Sequence, residues 1–242
     1  MNVYIGCSGW NYREWRGEFY PQKLAQKNWL DYYAGIFNTV EVNNTFYRLP
    51  QDSTLENWKN TAPENFNFTL KGSRYVTQMK KLNDPEESLK KFQDVSRVMG
   101  NKLSCILWQL PPNLHRNDEK LINFCKALSK RNKNVIEFRH DSWFDEEVYT
   151  ILRKYKIIFC SISSPDFPEE MVTTCKTGYV RFHGKGPNWY DYDYSEAELL
   201  EWYVKIKNSD VEEVYIYFNN DIGVNAPRNA QLLMKIFEED GK

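Results

Sequence analysis

Residues 214–219 read Val-Tyr-Ile-Tyr-Phe-Asn, VYIYFN, and the alternation in these six residues decides the fold. Successive strand side chains point to opposite faces, so Val214, Ile216 and Phe218 make one apolar face and Tyr215, Tyr217 and Asn219 the other. Working outward, seven further runs carry β-type composition: Val3 to Cys7, Val40 to Asn43, Phe66 to Lys71, Leu103 to Leu110, Val135 to Arg139, Ile157 to Ser161 and Tyr179 to His183. Helical patterns lie between them.

The helix starts are chemically explicit, because unpaired amides at a helix N-terminus need a side-chain acceptor. Ser53 with Glu56, and Ser195 with Glu198, have capping-box spacing. Asp84, Pro85, Glu86 and Glu87 announce a helix running to about Met99, while Asp118 and Asp145 open the next two. Leu121, Phe124, Cys125 and Leu128 form one apolar stripe, and Val148, Ile151, Leu152 and Tyr155 another.

Eight strands separated by helices call for parallel pairing with right-handed crossovers, and closing the sheet removes its edges. The expected fold is α/β, a single (β/α)8 barrel over residues 1–242, with an open doubly wound sheet as the alternative. Helix-to-strand joints are brief, as at Arg153 to Ile157, whereas strand-to-helix joints are long, as at Ser8 to Lys23 and Gly184 to Tyr194. Barrels of this kind place their sites in those longer loops.

The chain has 242 residues, close to the length such a barrel needs, with 41% hydrophobic and 27% charged residues, enough to close a core. A net charge of −1 argues against a broad footprint on duplex nucleic acid or anionic membrane. The opening MNVYIGCSGW is not a secretory leader and no run reaches the length of a membrane span, so a cytoplasmic address is expected. Cys7, Cys105, Cys125, Cys160 and Cys175 are odd in number and form no C-x-x-C pair, so they are read as reduced core residues, Cys7 with a reactive thiol as its alternative.

Parity then exposes an unusual interior. The faces opposite the apolar ones carry Glu41, Lys71, Glu137, Arg139, Arg181 and His183, with Ser8, Asn43, Gln109 and Asn219 near the same strand ends. Ordinary barrel interiors favour Val, Ile and Leu. Taking a charge out of water costs several kcal/mol unless it is paired, so six ionisable groups in one ring need a reason. The set fits an internal salt-bridge network. It also fits a site for a small polar or anionic ligand, because two Arg and one Lys outnumber two carboxylates.

In the ligand-site case Glu41 and Glu137 would move protons, Lys71 would stabilise charge and His183 could carry a proton. Arg139 and Arg181 would grip an anion, and Ser8, Trp10, Asn43, Gln109 and Asn219 would orient the substrate. No motif implies a cofactor; a metal would need Glu41, Glu137 and His183 together, without supporting spacing. Loop aromatics Trp10, Tyr12, Trp15, Phe46, Tyr47, Trp143, Trp189, Tyr190 and Tyr192 would shield the site or stack on a sugar or base. Lys71, Arg74, Tyr75, Lys80 and Lys81 mix basic and aromatic residues that could meet single-stranded nucleic acid, or form only a solvated loop.

Seven blocks in order carry a family resemblance: IGCSGWNYREWRGEFYP (5–21), TVEVNNTFYRLP (39–50), LKGSRYVTQMKKL (70–82), LWQLPP (107–112), EFRHDSWF (137–144), YVRFHGKGPNWY (179–190) and YFNND (217–221). Through essentially its whole length the chain resembles the YecE-like proteins, domain of unknown function 72. The resemblance implies a TIM-barrel fold and transfers no residue with an assigned role. Gln78 stands where relatives often carry His, so an acid or base at that position is not expected. The remaining expectations are an enzyme using acid-base chemistry on a sugar phosphate or nucleoside-like substrate, a nucleic-acid-binding protein, and a non-catalytic ligand sensor or scaffold.

Overall fold

A computed structural model describes residues 1–239. In chain order the elements are β1 (Asn2–Cys7), α1 (Trp29–Ala34), β2 (Thr39–Val42), α2 (Asn44–Tyr47), α3 (Asp52–Thr61), β3 (Asn67–Lys71), α4 (Glu86–Ser96) and β4 (Leu103–Gln109). They continue as α5 (Asp118–Ala127), β5 (Lys133–Glu137), α6 (Glu146–Tyr155), β6 (Ile158–Ser163), β7 (Thr177–Phe182), α7 (Glu196–Lys207), β8 (Glu213–Phe218) and α8 (Asn225–Glu239). The strands form one eight-stranded sheet in the order β1-β8-β7-β6-β5-β4-β3-β2, and the ladders are parallel. That sequential order and direction are those of a (β/α)8 barrel.

Alternation is not perfect. Two helices, α2 and α3, separate β2 from β3, and residues 164–176 between β6 and β7 contain no helix. The chain divides into two compact units, Met1–Glu41 with Ser161–Lys242 as the first and Val42–Cys160 as the second.

In the first unit β8 pairs with β1 and β7, with Tyr4 opposite Tyr215 and Phe182 opposite Phe218. The rings of each pair stack, at 4.6 Å and 4.5 Å between centroids. Gly6 permits the backbone of β2 to approach, since a Cβ there would lie 2.1 Å from the Thr39 carbonyl oxygen. In the second unit Trp108 of β4 sits between Phe92 of α4 and Phe124 of α5, at 5.3 Å and 5.7 Å. Its indole N–H donates to Asn134 Oδ1 at 3.0 Å, which satisfies the polar edge of a fully buried ring.

The helix starts divide into confirmed and corrected ones. Ser195 forms the full capping box with Glu198, and the Asp145 side chain accepts from the Glu147 amide. Asp118 is the first helical residue of α5 and Asn117 is the cap, accepting from the Lys120 amide. Ser53 does not cap: α3 starts at Asp52 after an extended Gln51, so Ser53 is already inside the helix. The helix announced by Pro85 ends at Ser96 and continues to Lys102 only as a 3-10 segment. None of the five cysteines is in a disulfide; Cys7, Cys105, Cys125 and Cys160 are buried and Cys175 is partly exposed. Among the described residues no helix is long and apolar enough to cross a membrane.

Candidate functional site

The C-terminal strand ends of the first unit carry Ser8, Glu41, Arg181, His183 and Asn219, half of the polar residues expected at the site. Tyr179 and Arg181, two positions apart on β7, project to the same side, and both meet Glu41 of β2. Arg181 donates to Glu41 Oε1 at 2.6 Å and the Tyr179 hydroxyl donates to Oε2 at 2.6 Å. Glu41 and Arg181 are both wholly buried, at 0% exposure. A lone buried charge costs several kcal/mol, so each makes the other tolerable.

Arg181 is also within 3.4 Å of Ser8 Oγ, just past β1, and of His183 Nε2, just past β7. A guanidinium has only donors, so His183 Nε2 faces it as acceptor and the ring proton belongs on Nδ1. Nδ1 lies 3.1 Å from the Asn219 side-chain amide, one residue beyond β8, and the amide oxygen is the group that suits it. Trp189 covers the His183 ring at 5.4 Å between centroids and is tethered by its indole N–H to Asp166 at 3.1 Å. Four strand ends thus contribute to one hydrogen-bonded set, Glu41, Arg181, Ser8, His183 and Asn219.

One carboxyl beside this set was not singled out from the sequence. Asp221 follows Asn219 by two residues, is half-buried, and contacts the Tyr12 hydroxyl. Burial holds its carboxyl above the ordinary carboxylate range, outweighing the hydrogen bond from its own amide. Tyr12 in turn donates to the Ser8 carbonyl at 2.6 Å, and the Trp15 indole donates to the Asp221 carbonyl at 3.3 Å. Parity could not find Asp221, because alternation says nothing once the strand has ended; the YFNND block was the available signal. The Cys7 thiol is pushed far up by burial, with Tyr33 opposing and Asp221 adding to the rise, which removes it as a nucleophile.

In the second unit Glu137, at the end of β5 and fully buried, is bonded by Arg139 Nε two residues later, with the Cys160 thiol 4.0 Å from its other oxygen. Lys71 at the end of β3 is half-buried, its ammonium 4.6 Å from the Phe46 ring, and its carbonyl accepts from Thr45 at 2.6 Å. The Gln109 carbonyl accepts from Gln78 Nε2 at 2.7 Å, so the side chain at the departing position is a structural tie. Asn43 is half-buried immediately before α2.

Each arginine therefore has a carboxylate within its own unit, Arg181 with Glu41 and Arg139 with Glu137. The aromatic set also divides: Trp15 and Trp143 are fully buried and Phe46 nearly so, as core, while Tyr47 is exposed and Trp10 and Trp189 are at least partly accessible. Trp143 stacks on Phe138 at 4.8 Å and donates to the Leu114 carbonyl at 2.7 Å, a structural role. Among the described residues no group of three or more His, Cys, Asp or Glu side chains is arranged to hold a metal ion.

Comparison with known proteins gives one consistent answer. A family model described as "Protein of unknown function DUF72" matches residues 4–242. The chain is 27% identical over 271 residues to the UPF0759 protein YunF of Bacillus subtilis (strain 168), covering 98% of this chain and 95% of that protein. It is 25% identical to the UPF0759 protein YecE of Escherichia coli (strain K12) over 154 residues, 62% of this chain and 54% of that one. Among solved structures, a DUF72 family protein from Thermotoga maritima MSB8 superposes with a TM-score of 0.90 at 31% identity, covering 98% of this chain and 100% of that chain. A DUF72 family protein from Enterococcus faecalis V583, at 18% identity and a TM-score of 0.84 over 98% and 95% of the two chains, shares the fold.

Proposed function

The chain belongs to the DUF72 family, whose description names no activity, and from its own residues we propose an enzyme that moves protons on a small polyhydroxylated or anionic substrate. The observation that carries this is the wholly buried Arg181, which binds Glu41 while reaching Ser8 and His183 at the strand ends. Aliphatic side chains would fill that space at lower cost, and barrel folds place their chemistry at this end. Since Arg181 is already neutralised by Glu41, the first unit suits a hydroxyl-rich ring better than a multiply charged anion. Ser8, Asn219 and His183 supply donors and acceptors, and Trp10 and Trp189 supply faces on which a sugar ring stacks.

Asp221 is the group best suited to give a proton, because burial favours its acid form. Glu41, bonded by Arg181 and Tyr179, is the complementary group that stabilises positive charge or takes the proton back. In the second unit the Glu137 and Arg139 pair is a separate device of the same kind.

Thermal melting against sugars, sugar phosphates, nucleosides and simple polyols tests the ligand class. A compound at a hundredfold excess over its Kd stabilises the native state by about 2.7 kcal/mol, about 5–11 °C in Tm for a chain of this size. We expect such a shift with a hydroxyl-rich ring compound, lost in Asn219→Ala and in Trp10→Ala. A panel that shifts nothing, or a shift both variants retain, would count against the proposal.

A further inference from the structure

The loops after β2 and β3 carry a surface that the proposed chemistry does not use. Residues 43–50, NNTFYRLP, and 71–81, KGSRYVTQMKK, contain Arg48, Lys71, Arg74, Lys80 and Lys81 and no acidic residue, in a chain whose net charge is −1. The Thr45 to Lys71 hydrogen bond and the Arg74 guanidinium, 5.5 Å from the Tyr47 ring, bring the two segments together within one unit. Lys80 lies 5.8 Å from the Tyr75 ring.

This surface breaks two habits of the rest of the molecule. Tyr47 is 65% exposed, Tyr75 46% and Met79 67%, where most large apolar side chains are covered. Among the described residues no carboxylate lies within ion-pair distance of Arg48, Arg74, Lys80 or Lys81. Arg116, by contrast, is met by Asp118, Asp145 and Glu147.

Tyr75–Met79 forms a turn of π-helix, closed by the Lys80 amide on the Tyr75 carbonyl at 2.9 Å, and Lys81 and Leu82 follow with φ of 48° and 66°. Such turns are rare, and left-handed non-glycine residues cost free energy, so something other than local stability fixes this shape. Beside Tyr47 runs a groove of about 540 Å³ lined by Arg48, Pro50, Thr54 and Trp58.

We propose that this face binds a single strand of nucleic acid, with bases stacked on Tyr47 and Tyr75 and phosphates on Arg48, Arg74, Lys80 and Lys81. Exposed rings beside unmatched cations are complementary to alternating bases and phosphates, since every base has a π-face and every linkage one negative charge. A duplex offers no free base to those rings. The strand is DNA or RNA, which share this chemistry; the face is independent of the hydrogen-bonded set around Arg181, and either proposal can fail alone.

Fluorescence anisotropy of the full chain with labelled dT12, rU12 and a 12-base-pair duplex at about 50 mM salt tests it. The expected result is tighter binding of a single strand than of the duplex, dT12 against rU12 showing which sugar is preferred. Tyr47→Ala with Tyr75→Ala should weaken binding at least about tenfold, because stacking is worth about 1–3 kcal/mol per base. Arg74→Ala and Lys80→Ala should each lower the salt slope by about 0.7. All four side chains are at least partly exposed, so unchanged melting temperatures certify folding. No binding to either single strand, equal or tighter binding of the duplex, an affinity indifferent to the tyrosine pair, or stronger retention of a polyglutamate peptide would overturn it.

Discussion

Asp221 shows how a single residue acquires its chemistry from neighbours remote in sequence. Its carboxyl is raised by burial at the end of β8, where the Trp15 indole, some two hundred positions away in sequence, donates to its backbone carbonyl. A group whose native value lies above its unfolded one binds more protons when folded, so its contribution to stability is full at low pH and is lost as pH rises through the native value. Replacing it with an amide removes that loss. Asp221→Asn should therefore gain on the wild type as pH increases from about 4 to 8, measured by urea unfolding across that range. A difference that stays flat with pH would show that the carboxyl is not held in its acid form. Neighbouring positions two apart were easier to read: Glu137 with Arg139, and Arg181 with His183, share a side of the chain and do meet. That Glu41 would take Arg181 was not legible, because it depends on which strands the topology brings together.

At the scale of elements, strands were legible wherever apolar residues alternate, and their ends were not. Arg139, His183 and Asn219 all lie just past the named strands, yet the His183 amide still donates to the Ser163 carbonyl at 2.9 Å and the Asn219 amide to the Phe182 carbonyl at 2.8 Å, which keeps those two side chains turned to the site. Helix starts show the complementary limit. Ser195 and Ser53 carry the same Ser-x-x-Glu spacing, yet only Ser195 is extended and free to cap; Gln51 takes the extended conformation before α3. Ser195→Ala should cost about 1 kcal/mol in unfolding free energy, whereas Ser53→Ala should change it by less than about 0.5 kcal/mol. Equal effects in chemical denaturation would mean that spacing alone, not backbone geometry, sets the cap. Residues 164–176 were expected to hold a helix by alternation, and instead cross from β6 to β7 without one, tied by Glu169 to Lys185 at 2.8 Å and by the Val172 amide to Ser161 at 3.0 Å.

For the whole molecule, the strand count and order follow from period-two patterning, and the comparison structures share the fold. The polar interior was also legible, because charged residues at axis-facing positions violate the aliphatic rule for barrels. The balance of charge within it was not, since a count of arginines cannot say that each will be matched. On the proposed function, that matching favours a hydroxyl-rich substrate, with proton transfer as the proposed chemistry. Solvent-deuterium incorporation into a ligand found by thermal melting, followed by NMR in D2O, tests this most directly. The account predicts exchange at a carbon-bound position by the wild type, with Asp221→Asn and Glu41→Gln each slowing it at least about a hundredfold, the scale of acid-base catalysis, while the Asp221 variant still binds. A bound ligand that the wild type leaves unexchanged and chemically intact would contradict it and make the Arg181 cluster a binding site without turnover.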